Sequence, residues 1–122
     1  AATALGCNVG AIVKSLLFNV GDDFVLCLIS GDKKCSLNKL KKILNKKDVS
    51  MANPDDVKKI TGYTIGGVSP IGHLIKVNIF IDINLERFSS VFAAAGHPNC
   101  VFKINFDQLS KLTLGVVTDL VE

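Results

Sequence analysis

The sequence predicts an α+β domain in which a curled or barrel-like β-sheet is flanked by helices. Three observations point there. Two apolar, β-branched runs meet at a sharp turn signal, two segments of helical periodicity carry their own end signals, and short strands separated by turns fill the remainder. Residues 11–20 and 24–30 flank Gly21-Asp22-Asp23 and read as a β-hairpin, with Lys14 projecting from its first strand. Next, Leu37, Leu40, Ile43 and Leu44 recur at helical spacing across residues 37–46, with Ser36 as N-cap. The other positions carry Lys39, Lys41, Lys42, Lys46 and Lys47, a basic outer face. A second helix opens on Asn53 with Pro54 at its first position and Asp55 and Asp56 in its first turn, and stops at Gly62. Strands are predicted over residues 74–81, 90–95 and 100–104. Asn105-Phe106-Asp107-Gln108 resembles a capping box opening a helix through Leu112, and residues 114–120 read as a closing strand.

With 122 residues, 48% of them apolar, the chain is expected to form one domain over 1–122 with a real core. It begins at Ala1 and soon enters a strand-like run, so a preceding N-terminal element is expected to be missing. The net charge of +3 gives a weak positive field, and any nucleic-acid contact must be local. No apolar run reaches the ~18 residues of a membrane span, and the opening residues lack the basic flank of a secretory signal. We therefore expect a cytoplasmic protein with no membrane partner. Cys7, Cys27, Cys35 and Cys100 form no C-x-x-C pair and have no histidine at metal-ligand spacing, so free thiols are expected, with no metal and no cofactor. Cys27 lies in an apolar run and reads as core. Cys100 is retained as a candidate catalytic thiol only as a control, because no base is evident beside it.

The most unusual stretch is residues 61–73, where Gly62, Gly66, Gly67, Gly72 and Pro70 crowd a loop between a helix and a strand. Glycine admits positive φ and close approach, while proline removes an amide, so the remaining N–H groups can converge on an anion or a carbonyl oxygen. A merely tight turn accounts for the composition equally well. The loop has neither the G-K-[ST] ending of a Walker loop nor a dinucleotide fingerprint.

Thr61-Gly62 followed by Gly66-Gly67-Val68-Ser69-Pro70-Ile71-Gly72-His73 resembles the signature loop of the YbaK / prolyl-tRNA-synthetase-associated editing family. Upstream, Ile12-Val13-Lys14-Ser15-Leu16-Leu17-Phe18 resembles that family's strand with its functional lysine. Downstream, Ala94-Ala95-Gly96-His97-Pro98-Asn99 resembles its second glycine turn. The resemblance implies a mixed, mainly antiparallel sheet with surrounding helices, and a trans-editing hydrolase that deacylates mischarged aminoacyl-tRNA of the Cys-tRNA(Pro)/Ala-tRNA(Pro) type. It also implies that Lys14 holds the tRNA acceptor end and that Gly66, Gly67, Val68, Ser69 and Pro70 lie beside the scissile ester, with Gly96 in the second turn. His97 and Pro98 match a pair found in only some subfamilies, so a catalytic role for His97 stands beside a structural one.

The chemistry agrees with that implication. An aminoacyl ester is already activated, so positioned water and backbone donors to a tetrahedral oxyanion suffice, each donor worth roughly 10²–10³ in rate. Ser69 has no histidine–acid pair nearby in sequence, and a loop-stabilising hydroxyl is its expected role. Gly72 and His73 are expected to contact substrate or to orient the loop, and Asp82 to cap a turn. The lysine helix, Lys41 and Lys42 above all, reads either as a contact to tRNA phosphates or as a solvated face. The expected partners are the aminoacyl-tRNA acceptor end and an aminoacyl-tRNA synthetase. The alternative from another class is a non-catalytic module of the same fold that binds tRNA or a synthetase.

Overall fold

The computed structural model of the chain describes residues 2–97 and 99–122. A short helix, α1 (Ala2–Leu5), leads into β1 (Val13–Val20) and β2 (Asp23–Ser30), which pair antiparallel over their whole length from Val13 opposite Ser30 to Val20 opposite Asp23. Helix α2 (Leu37–Leu44) follows, capped by the Ser36 hydroxyl, which accepts the Lys39 N–H, and closed by Asn45 in the left-handed region. Strand β3 (Val49–Met51) returns along β1, and α3 (Pro54–Thr61) begins on the Asn53 cap and ends at Gly62, as its sequence signals require.

After the glycine-rich loop come β4 (Asn78–Asp82), the hairpin β5 (Val91–His97) and β6 (Cys100–Ile104), α4 (Phe106–Thr113) and β7 (Val116–Thr118). The predicted capping box is present: Asn105 accepts the Gln108 N–H while the Gln108 side chain accepts the Asn105 N–H. The main sheet runs in the order β3-β1-β2-β4-β7, with β2–β4 and β4–β7 parallel and the other pairs antiparallel; β5 and β6 form a separate two-stranded sheet. The fold is thus α+β with a mixed sheet. That sheet is open, ending on β3 and β7, so the ladder among the described residues is not a closed barrel.

Two expectations of length are corrected. The strand foreseen from Leu74 starts only at Asn78, because the Leu74 and Ile75 amides donate to the carbonyls of Thr61 and Ile60 and so cap the end of α3. Residues 114–120 shrink to β7 because Leu114 adopts φ +55° to end α4.

Alternation along the strands sorts the core into two faces. Val13 and Leu17 of β1, Leu26 and Leu28 of β2 and Ile81 of β4 point to one side, where they meet Val57 and Ile60 of α3, Leu109 of α4 and the β5–β6 hairpin. Phe18, Val20, Val25, Cys27 and Ile29 point to the other, against Leu40 of α2 and Leu120. Cys27 is fully buried there, as expected of a core thiol. Asp82 is buried as well, and its carboxylate accepts the N–H groups of Asn84 and Leu120, the turn-capping role its position suggested.

Candidate active site

A cavity of about 370 Å³ lies where the first of those faces meets the outer edge of β1. Residues 12–17 form one wall, Met51, Ala52 and Val57 a second, and Ala94 of β5 a third; Ile65, Gly66 and Val68 of the glycine loop cover it. Its size falls in the range of small-molecule sites, roughly 300–1,000 Å³, and its side chains are almost all apolar.

The loop is built by a few specific bonds. Gly67 N–H donates to the Thr64 carbonyl at 2.9 Å, closing a turn with Gly66 at its third position and φ +86°, the sign of a type II turn. The buried Thr61 hydroxyl donates to the Val57 carbonyl and accepts the Tyr63 N–H, tying the loop's entry to α3. His73 Nε2 meets the Ser69 carbonyl at 2.7 Å across the Pro70 corner, so His73 orients the loop. The Ser69 hydroxyl accepts the Ile71 N–H, the loop-stabilising role expected of it.

These bonds decide which amides are free. Gly67 N–H is spent on its turn and is removed from the set of oxyanion donors foreseen in the sequence. The amides of Gly66, Val68 and Ser69 donate to no described residue. Val68 and Ser69 are only 5% and 4% exposed, so neither is well placed to exchange its missing bond with bulk water.

Tyr63 is the residue that sequence reasoning missed. Its hydroxyl donates to the Ile71 carbonyl at 2.8 Å, its ring meets His73 edge-on with centroids 6.1 Å apart, and Gly96 of the second turn lies against it. A Cβ on Gly72, which has φ +74°, would stand 2.7 Å from the Tyr63 hydroxyl. Tyr63 therefore links both glycine motifs. The available signal was its place as the chain's one tyrosine, inside the loop motif.

Lys14 and Ser15 part company at the wall. Lys14 shares its side of β1 with Leu16 and Phe18, and its ammonium donates to the Lys33 carbonyl; Ser15 shares its side with Val13 and Leu17, facing the loop. The ammonium is thus not directed at the loop amides. His97 is exposed, accepts the Asn99 N–H on Nδ1, and does not line the cavity; Pro98 lies outside the described residues. Lys41 and Lys42 sit on α2, across the sheet from the cavity. Cys100 is exposed on β6, also away from it. Cys35 is half-buried beside Cys27: their mutual hydrogen bond, and then burial, push the Cys27 thiol up, and the same bond holds that of Cys35 down.

Fold and cavity together define a small α+β domain with an apolar cavity under a glycine-rich loop. A model of the aminoacyl-tRNA editing domain matches residues 1–112, and the chain belongs to that family. Among its relatives is the protein YwhH of Bacillus subtilis, 33% identical over 96% of this chain and 74% of its own length. Another is a candidate Cys-tRNA(Pro)/Cys-tRNA(Cys) deacylase of Enterococcus faecalis, 29% identical over 98% of this chain and 73% of that protein. A crystal structure of a candidate trans-editing enzyme for prolyl-tRNA synthetase superposes with a TM-score of 0.95 at 36% identity, covering 99% of this chain and 76% of that one.

Proposed function

We propose that this chain hydrolyses the ester of mischarged aminoacyl-tRNA in trans, removing a small amino acid such as cysteine or alanine from tRNA(Pro). The observation that carries the reading is the apolar cavity covered by a loop whose buried Val68 and Ser69 amides have no partner among the described residues. On this reading the ester carbonyl oxygen sits at those amides, water attacks its carbon and yields a proton to solvent, and the N–H dipoles stabilise the tetrahedral oxyanion. Its collapse breaks the ester C–O bond to release the amino acid and the ribose hydroxyl, which takes a proton from solvent. Gly66 and Pro70 shape the loop that aims them. Membership of the editing family and the activities named for the two relatives above support the same substrate class.

The acceptor end of tRNA reaches the cavity past the Lys14 strand, and Lys14 acts on its phosphate once it leaves the Lys33 carbonyl. The test is a panel of prolyl-, alanyl- and cysteinyl-tRNA(Pro) with release of free amino acid as readout. Wild type should release alanine or cysteine and spare proline, and Lys14→Ala should be slower by at least about tenfold, roughly 1.4 kcal/mol of barrier. Lys14→Ala at full rate would leave that residue a structural strut. One observation favours the alternative of a non-catalytic tRNA- or synthetase-binding module: among the described residues the cavity wall offers no acid or base side chain besides the tethered Lys14. Salt-sensitive tRNA binding with no turnover of any charged species would establish that alternative.

A further inference from the structure

The Ser15 hydroxyl is buried in the cavity wall and has no hydrogen-bond partner among the described residues. On the side away from β2 its main chain enters no described strand pairing. Leu17 C=O accepts the Ala52 N–H and Gly21 N–H donates to Asp48 C=O, so odd-numbered positions of β1 turn their peptide groups toward the β3 edge. Ser15 has the same parity. On that edge, however, β3 pairs only with Phe18, Asn19 and Val20, and the next contact is the bridge from Ile12 to Phe92. The Ser15 N–H and C=O therefore open on the stretch of β1 that lines the cavity, beside its hydroxyl.

We propose that Ser15 is the receptor for the α-amino group of the esterified amino acid. This rests on the editing reading above and deepens it. The α-carbon of an aminoacyl ester carries an acyl group, a side chain and an amine, and the cavity has a surface for each. The acyl oxygen takes the loop amides, and the side chain takes the apolar wall of Leu17, Ala52 and Val57. The amine needs acceptors, because N–H groups left bare in an apolar pocket are costly. The Ser15 carbonyl and hydroxyl supply them. The substrate class is then esters of amino acids with a free amine, as against peptidyl or des-amino acyl esters.

The experiment compares wild type with Ser15→Ala on two substrates, alanyl-tRNA and propionyl-tRNA, which lacks only the amine. The wild-type to variant ratio of kcat/KM should be about tenfold on alanyl-tRNA and close to one on propionyl-tRNA, the loss of a single hydrogen bond to a polar or charged group. Because only ratios are compared, the different intrinsic reactivity of the two esters cancels. Equal ratios on both esters overturn the proposal while leaving the editing reading intact, whereas a wild type that hydrolyses neither overturns the editing reading and this proposal with it. Should Ser15→Ala not fold, Ser15→Cys, near in size and a weak acceptor, is subjected to the same pair of ratios with the same two outcomes.

Discussion

Replacing Gly66 by alanine isolates backbone conformation from packing. Gly66 holds φ +86°, and a Cβ there would meet nothing within 4 Å, so no clash contributes. A left-handed conformation costs an L-residue roughly 1–2 kcal/mol. Alanine returns roughly 0.4–1 kcal/mol by stiffening the unfolded chain. The net destabilisation is then about 1 kcal/mol, which lowers Tm by about 4 °C in a domain of this size. Catalysis should suffer more than stability. Strain at Gly66 is relieved most easily by opening the Thr64–Gly67 turn, and in the mechanism proposed above that swings the Val68 and Ser69 amides off the ester oxygen; loss of one such donor is worth roughly 10²–10³ in rate. Asparagine tolerates the left-handed region better than alanine, so Gly66→Asn should recover part of both quantities. Thermal unfolding followed by circular dichroism and single-turnover deacylation measure the two effects. If Gly66→Ala matched wild type in Tm and in rate, the turn would not be what aims the amides.

Gly72→Ala adds a clash with the Tyr63 hydroxyl to the same strain and should cost about 2 kcal/mol, more than Gly66→Ala, in denaturant unfolding. Tyr63→Phe, which removes the hydroxyl's bond to the Ile71 carbonyl and its longer one to the Gly72 carbonyl, should cost about 1 kcal/mol; equal Tm values for variant and wild type would refute the linking role. The Arg87 guanidinium, 2.8 Å away, holds the Asp32 carboxyl below its usual range. A carboxyl depressed in the folded state stabilises above its unfolded pKa, and that contribution disappears as pH falls through the folded value. Arg87→Ala should therefore raise the Asp32 midpoint in an NMR titration, and an unmoved midpoint would contradict the pairing. Alkylation at neutral pH should label Cys100 and Cys35 but spare buried Cys27 in peptide mass spectra, and Cys100→Ala should deacylate at the wild-type rate.

Local signals were legible where one short segment contains both partners of an interaction. Asn53, Pro54 and Gly62 bound α3, Asn105 and Gln108 open α4, and the Gly21-Asp22-Asp23 turn sets the β1–β2 register, because caps and tight turns close within a few residues. Strand length was less legible. Leu74 and Ile75 look like strand residues, yet their amides are taken by α3, a choice made by distant carbonyls.

What the sequence determined by itself about this protein is its α+β class, its capped helices, the ordered glycine motifs and the family they mark, all of which reside in spacing along the chain. Tertiary structure alone decided which groups stand free. The diversion of Lys14 to Lys33, the loss of Gly67 N–H to a turn, the bridging place of Tyr63 and the bare Ser15 edge each depend on what an approaching segment takes up or leaves unpaired. A hydrogen bond consumes its donor wherever its partner lies in the chain, and linear order does not record that consumption.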